Sequence, residues 1–322
     1  MKLCIVTSKG NYKIANTGKG RFIKRLVPAL QKLGVYVTSD PGEKTDVSLH
    51  IGKILCLPNT KKNIVRMGPS HCSTHEDYRA LNKRKAKDIR KADGVIYQSE
   101  FCKRMCDHFL GEAKCPTTVI YNGADPKFYE DIEPAESDFQ YNFLAATRVW
   151  TKQKRLKYII RAFEKASIPN ARLWIAGTAP KEKNRYECNH IHFLGLLDDR
   201  ELGSYYKLCN ALIHMCYLDA CPNVVTEAMV AGCKVIWNSE AGTWELGGLL
   251  LEAREGQHSH IYDPKWDFKP TDLRHPPKVN TDKLASWITK YTDDSRWYDP
   301  SLYIDNIARL YKGFFEKCLN SK

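Results

Sequence analysis

The sequence contains no run of about 20 apolar residues, the length that an α-helix needs to span a bilayer. Residues 2–7 form a short apolar run that no long hydrophobic stretch follows, so we see no secretory leader. The 12 cysteines lie mostly inside apolar patterns, where cysteine behaves as a small hydrophobic residue. We therefore expect free thiols, a reducing cytoplasmic compartment and no transmembrane segment.

Complete metal-ligand patterns are also absent. Cys102 and Cys106 are four residues apart on a predicted helix, and Cys188, His190 and His192 lie close together. Neither group has a second half at zinc spacing, so metal binding is the weaker alternative. A Walker loop is absent too, because no Gly-Lys-Ser/Thr follows a glycine at the required distance. We expect neither a metal nor a cofactor.

The chain has 322 residues, of which 43% are hydrophobic, which is enough for a sizeable core and typical of two domains. Its net charge of +13 is unevenly distributed. Residues 1–128 contain 24 basic and 11 acidic residues, whereas residues 129–322 contain 26 of each. This asymmetry predicts a polyanionic partner for the N-terminal part, or a solubilising surface without a partner.

Short apolar segments alternate with segments of helical periodicity. The predicted strands cover residues 2–7, 35–38, 47–51, 63–67, 94–98, 118–121, 142–147, 171–177, 192–194, 211–215 and 235–238. The predicted helices cover residues 22–33, 79–91, 156–165, 201–208, 225–231 and 302–319. Alternation of this kind predicts an α/β fold with parallel sheets, here two Rossmann-like, doubly wound domains that face a cleft.

The predicted domain boundaries follow the composition. Residues 1–128 form the N-terminal domain, and the acidic, proline-containing residues 129–140 form a linker. Residues 141–300 form the C-terminal domain, with an irregular insertion at 252–280. We expect the helix in 301–322 to pack back across the domains.

The stretch of residues 216–245 is the most informative part of the sequence. Asp219 and Glu227 are eight positions apart, and a helix begins between them. The backbone N–H groups of Asn223, Val224 and Val225 at its start suit a diphosphate. A carboxylate one turn into the helix can bind ribose hydroxyls, and one on the preceding loop can bind sugar hydroxyls. Alternatively, Glu227 pairs with the helix dipole and Asp219 is an ordinary loop residue.

The sequence resembles retaining, nucleotide-sugar-dependent glycosyltransferases of family 4 type, which have the GT-B fold. The resemblance covers most of residues 1–245. It rests on Asp219 with EAMVAG at 227–232, on YNGADPKF at 121–128, and on the pattern of 147–163. The family usually has glutamate where this chain has Asp219, whose side chain is one methylene shorter.

The resemblance implies a role for each matching residue. Arg148 and Lys154 would bind the donor diphosphate and stabilise the charge of the leaving group, with Lys152 as a rival to Lys154. Glu227 would bind the ribose, and Asp219 would act at the transferred sugar. The donor would be a nucleoside-diphosphate sugar, with UDP as the expected nucleotide. The alternative is a solvated basic run around Lys152 and Lys154.

Other expectations concern the N-terminal domain. Gly18 and Gly20 would approach the donor in the first loop. His71 would lie beside the transferred sugar, with His75 as the other candidate; either could be an ordinary loop histidine. No Asp-x-Asp occurs in a donor-metal context, since residues 198–199 are better explained as a helix cap. The resemblance implies metal-independent, front-face transfer with retention.

The acceptor would face the basic N-terminal domain. The candidate contacts are Lys83, Arg84, Lys87, Arg21 and His75. Because phage enzymes that glycosylate hydroxymethylated DNA bases share this architecture, the favoured acceptor is a 5-hydroxymethylated pyrimidine in phage DNA, modified in the host cytoplasm. A glycan, lipopolysaccharide or glycolipid acceptor, with peripheral membrane contact, is the alternative. A non-catalytic nucleotide-sugar or nucleic-acid-binding module is the third hypothesis.

Overall fold

The computed structural model describes residues 1–7, 18–56, 58–180, 183–238, 240–246 and 268–321. These residues form two compact units. The N-terminal unit comprises residues 1–125, 268–270 and 300–321. The C-terminal unit comprises residues 126–246 and 271–299. Most of the predicted insertion at 252–280 lies outside the described residues.

The N-terminal unit is built on a parallel sheet with the strand order β2-β1-β3-β4-β5-β6. Its strands are β1 (Lys2–Val6), β2 (Tyr36–Thr38), β3 (Thr45–Ile51), β4 (Thr60–Met67), β5 (Gly94–Tyr97) and β6 (Thr117–Val119). Its first helices are α1 (Gly18–Lys32), α2 (Tyr78–Lys91) and α3 (Glu100–Leu110). Side-chain caps fix two of these helices, because Asp77 accepts from the Ala80 N–H and Ser99 from the Cys102 N–H.

The C-terminal unit contains a second parallel sheet, with the order β11-β10-β7-β8-β9. Its strands are β7 (Tyr141–Val149), β8 (Ala171–Thr178), β9 (Ile191–Gly195), β10 (Ala211–His214) and β11 (Lys234–Trp237). Its helices are α4 (Pro126–Glu130), α5 (Leu156–Ala166), α6 (Lys183–Tyr186), α7 (Asp199–Leu208), α8 (Asn223–Val230) and α9 (Thr281–Lys290). Asp198 caps α7 in a capping box with Glu201, as predicted. The predicted α/β architecture is confirmed.

The segment predicted as a linker packs within the C-terminal unit. The boundary between the units falls after Asp125, and residues 129–140 belong to the C-terminal unit. Tyr129 and Ile132 are buried there. A Cβ on Gly203 would come within 2.7 Å of Ile132, so α7 approaches this segment closely.

The C-terminal helix α10 (Ile304–Asn320) belongs to the N-terminal unit. Tyr311 and Phe315 pack with Phe22 of α1 in one hydrophobic core. Arg66 of β4 is also buried in this core, where its Nε donates to the Tyr311 hydroxyl at 2.8 Å. Its guanidinium also donates to Asn122. The last helix therefore returns to the N-terminal sheet.

Candidate active site

Two loops meet at one edge of the C-terminal sheet. Strands β7 and β10 are neighbours and run parallel, so the chain leaves both at the same edge. A 3₁₀ turn at Lys152–Lys154 follows β7, and residues 215–222 lead from β10 to α8. Open α/β sheets bind ligands at the carboxyl ends of their strands. The candidate donor site lies here.

The structure brings together two predicted residues from these loops. The Nζ of Lys154 lies 3.0 Å from Oδ2 of Asp219, and their side chains are 23% and 24% exposed. Burial alone would lower the pKa of Lys154, but the charge of Asp219 outweighs it and raises this pKa. Burial would likewise raise the pKa of Asp219, but Lys154 outweighs it and lowers this pKa. Both groups are therefore charged at neutral pH.

Backbone and amide hydrogen bonds hold the two loops together. The Tyr217 N–H donates to the Gln153 carbonyl at 3.0 Å, and the Gln153 side-chain amide donates to the Tyr217 carbonyl at 2.7 Å. The Gly242 N–H donates to the Asp219 carbonyl at 2.7 Å. These contacts fix the backbone on both sides of the ion pair, which preorganises it.

Arg155 is a buried residue that the sequence analysis did not single out. Its side chain is 1% exposed, and its Nη1 lies 2.6 Å from Oε2 of Glu240. The guanidinium carbon lies 4.8 Å from the centre of the Tyr217 ring. Arg155 has φ +60°, a left-handed conformation that favours glycine. In the sequence, Arg155 stands in a largely basic run, residues 152–157, whose members look alike.

A histidine and a cysteine adjoin the ion pair. The potential ligand atoms of His214, Cys216 and Asp219 lie within 4.8 Å of one another. This set of ligand types suits zinc. However, burial raises the pKa of the Cys216 thiol to about 12, and the Lys154 ammonium already bonds to Asp219. Thiol protonation and a competing internal cation therefore both weaken the fit to a metal.

The N-terminal end of α8 differs in detail from the predicted diphosphate site. The Val225 N–H, one of the predicted diphosphate contacts, donates to the Pro222 carbonyl at 3.1 Å, and the Thr226 N–H donates to the same carbonyl at 3.3 Å. Asn223 and Val224 are half-buried at the first positions of the helix. Because Pro222 is the N-cap residue, these two bonds are the first backbone hydrogen bonds of the helix.

Glu227 lies in the second turn of α8 and is 3% exposed. Its Oε2 accepts a hydrogen bond from the Tyr206 hydroxyl at 3.2 Å. Arg148, at the end of β7, and Lys152, in the 3₁₀ turn, are exposed. Lys154 rather than its rival Lys152 thus makes the ion pair with Asp219.

The two histidine candidates lie in the N-terminal unit, in the loop after β4. Asn82 of α2 hydrogen bonds to both the N–H and the carbonyl of His71, at 2.8 and 2.7 Å. The His71 Nδ1 lies 3.6 Å from Oε2 of Glu76. The His75 Nδ1 lies within hydrogen-bond distance of the Ser73 hydroxyl. Neither histidine is an unsupported loop residue.

The remaining candidates lie on α1 and α2. Gly18 begins α1 and is exposed, Gly20 is buried, and Arg21 is half-buried. Most of the first loop, including Gly10, lies outside the described residues. Lys83, Arg84 and Lys87 are exposed on α2. Their neighbour Lys85, which was not among the predicted contacts, instead donates to the carbonyls of Gly68 and Pro69.

Residues 140–257 match the family described as Glycosyl transferases group 1. No curated protein matches the chain. Among solved structures, a glycosyltransferase from Rickettsia africae is 13% identical (TM-score 0.59; 100% of this chain and 99% of that chain). Anabaena HepE in complex with UDP is 14% identical (TM-score 0.61; 98% of this chain and 100% of that chain). AviGT4, a glycosyltransferase involved in avilamycin A biosynthesis, is 14% identical (TM-score 0.61; 100% of this chain and 98% of that chain).

The chain has the GT-B fold of these solved structures, and its residues 140–257 match a glycosyltransferase domain. The resemblance identified in its sequence is confirmed at this level by the domain match and by the shared fold. The ion pair between Lys154 and Asp219 lies within the matched domain, as do Arg148 and Glu227. None of the helices in the described part of the chain has the length and apolarity needed to cross a membrane.

We expect the buried His214 to make the stability of this protein pH-dependent. Burial lowers the pKa of His214 to about 4 from an ordinary value of 6.5. The unfolded chain therefore binds this proton at a higher pH than the folded chain. Between pH 6.5 and about 4, the free energy of unfolding should fall as the pH falls, by up to about 1.4 kcal/mol per unit from this group.

Urea denaturation at several pH values across this window measures the effect. His214→Gln should lose less stability than the wild type as the pH falls, because it lacks this proton-binding group. Exposed His190→Gln retains His214 and should follow the wild type. Identical pH dependence of His214→Gln and the wild type would contradict the assignment.

Proposed function

We propose that this glycosyltransferase moves a sugar from a UDP-sugar to a hydroxyl acceptor with retention and without a metal. The observation that carries the proposal is the ion pair between Lys154 and Asp219 at the carboxyl ends of β7 and β10. It places a buried cation and a carboxylate side by side, which suits a leaving diphosphate next to a sugar. UDP is proposed because HepE, of the same fold, binds it.

Charge balance supports the role of Lys154. In the free protein the charge of its ammonium group is balanced by the carboxylate of Asp219, so the pair has no net charge. A diphosphate would compete with Asp219 for the ammonium, and Arg148 would supply a second cation. We assign Glu227, held by Tyr206, to the ribose hydroxyls. The start of α8, at Asn223 and Val224, is the proposed contact for the diphosphate oxygens.

The proposed reaction breaks the bond between the anomeric carbon and the diphosphate oxygen and forms a bond to the acceptor oxygen on the same face. Lys154 and Arg148 stabilise the negative charge that moves onto the diphosphate. The acceptor hydroxyl loses its proton as the new bond forms, and the departing phosphate is the base that we propose. Asp219, freed from Lys154, would bind sugar hydroxyls.

We assign the acceptor to the N-terminal unit because the positive excess lies there. Lys83, Arg84 and Lys87 form an exposed basic face on α2, as phosphate-backbone binding requires. The acceptor that we propose first is a 5-hydroxymethylated pyrimidine in DNA. The enzyme would have to unstack that base, at a cost of a few kcal/mol.

A glycan or glycolipid acceptor is the second candidate. A related fold is that of Staphylococcus aureus TarM in complex with fondaparinux, α-GlcNAc-glycerol and UDP (14% identity, TM-score 0.50; 85% of this chain and 55% of that chain). An anionic glycan would use the same basic face on α2. A non-catalytic module is disfavoured by the complete set of Arg148, Lys154 and Glu227.

Conservative variants test the donor site. Lys154→Gln and Glu227→Gln should each lower kcat with a UDP-sugar panel by about 100-fold or more, since each removes charge at the diphosphate or ribose. Circular dichroism checks that they fold. Exposed Lys157→Gln, on α5, is the matched control and should retain activity. Wild-type activity in Lys154→Gln would reject the site, and loss of activity in EDTA would reject metal independence.

Charge reversal tests the acceptor. Lys83→Glu, Arg84→Glu and Lys87→Glu together should raise KM for duplex DNA that contains 5-hydroxymethylcytosine about tenfold or more and leave KM for the donor unchanged. The slope of log affinity against log salt should fall by about 3. Lys290→Glu, on α9, is the control. Transfer to glycans but not to this DNA, measured by mass spectrometry, would favour the second candidate.

A further inference from the structure

The ammonium group of Lys19 lies at the edge of the N-terminal sheet, in space that is open because residue 52 is a glycine. Strands β3 and β4 end side by side, and the Gly52 N–H donates to the Arg66 carbonyl at 2.9 Å. The Nζ of Lys19, in the first turn of α1, lies 2.8 Å from the position that a Cβ on Gly52 would take. Gly52 has φ +85°, so this position favours glycine both for its backbone and for the lysine beside it.

A second cation reaches the same edge from α2. The Lys85 ammonium donates to the carbonyls of Gly68 and Pro69, which directly follow β4. Burial and the nearby charges of Lys85 and Arg66 lower the pKa of Lys19. Burial and Lys85 also lower the pKa of His71. Lys19 at Gly52, Lys85 at the Gly68 and Pro69 carbonyls, and His71 just after Pro69 thus lie at the same edge of the sheet; we call them the Lys19 cluster.

Positive charge exceeds negative charge around the Lys19 cluster. Arg66 is buried beneath it, and the hydrogen bonds from Arg66 go to neutral groups, the Tyr311 hydroxyl and the Asn122 amide. Lys53 adds a further cation. Two carboxylates border the cluster, Glu76 beside His71 and Asp88 beside Lys53 and Lys85. Among the residues that the structure describes, four cations against two carboxylates leave a net positive site.

We propose that Lys19, Lys85 and His71 bind a phosphoryl group of the acceptor. The inference rests on the proposed function for the identity of the acceptor. A phosphoryl group offers several acceptor oxygens and one or two negative charges, which two ammonium groups and an imidazole can bind. The cluster is accessible, since the His71 side chain is 36% exposed. Lys83, Arg84 and Lys87 would bind the rest of a polyanion.

The pKa of His71, measured by proton NMR titration, reports on the Lys19 cluster directly. Inorganic phosphate should raise this pKa by about half a unit or more, because the bound anion favours the imidazolium. Lys85→Gln should itself raise the His71 pKa and should abolish the response to phosphate. Lys44→Gln, an exposed lysine before β3, should respond as the wild type does. No response in the wild type, or an equal response in Lys85→Gln, would overturn the proposal.

A glycine pair provides a second test that leaves every charge in place. Gly52→Ala puts a methyl group where the Lys19 ammonium lies and should weaken phosphate binding about tenfold. Gly34→Ala imposes the same kind of strain, at φ +77°, but meets no atom within 4 Å. It should bind phosphate normally. Equal binding by the two variants would exclude Lys19 from the site.

Competition distinguishes the source of the phosphoryl group and separates this proposal from the donor site. A DNA duplex that displaces phosphate would assign the group to a nucleic-acid backbone, and displacement by phosphatidylglycerol vesicles would assign it to a lipid. Displacement by neither would contradict an acceptor role. UDP should bind the wild type without moving the His71 resonance; a shift with UDP would assign the cluster to the donor. Absence of UDP binding would instead reject the proposed function.

Discussion

The ion pair between Lys154 and Asp219 is the interaction on which the candidate active site depends. Two charged side chains, each about three-quarters buried, are tolerated because each is the partner of the other. Removal of one partner from such a pair is costly, since it leaves a buried charge uncompensated. The loops that present the pair are joined by the hydrogen bonds of Gln153 and Tyr217, so the charges are positioned before a ligand arrives.

The N-terminal unit handles charge differently. Arg66 is buried among neutral hydrogen-bond acceptors and above the Phe22 ring, at 4.4 Å from its centre, so its positive charge is satisfied locally but not cancelled. Lys19 of α1 and Lys85 of α2, which lie near the ends of the strands, add further positive charge. A donor site that neutralises itself and an acceptor site that keeps its charge would explain why the positive excess is confined to residues 1–128.

Periodicity predicted the fold well, because buried parallel strands are continuous apolar runs and helices show one apolar face. It could not predict Lys85, because four basic neighbours on one helix look alike in the sequence, and only the helix rotation selects Lys85 for the sheet edge. The burial of Arg155 could not be predicted for a similar reason, since nothing in a basic run shows that one member is buried against Glu240. The acidic residues of the predicted linker likewise gave no sign that Tyr129 and Ile132 are buried.

Hydrogen-exchange mass spectrometry with and without UDP tests the central claim most directly. If the Lys154–Asp219 pair belongs to the donor site, UDP should slow exchange in peptides that cover residues 147–155 and 216–227. These segments contain the ion pair, Arg148 and the start of α8. UDP that binds but protects only segments outside these two stretches would contradict the assignment.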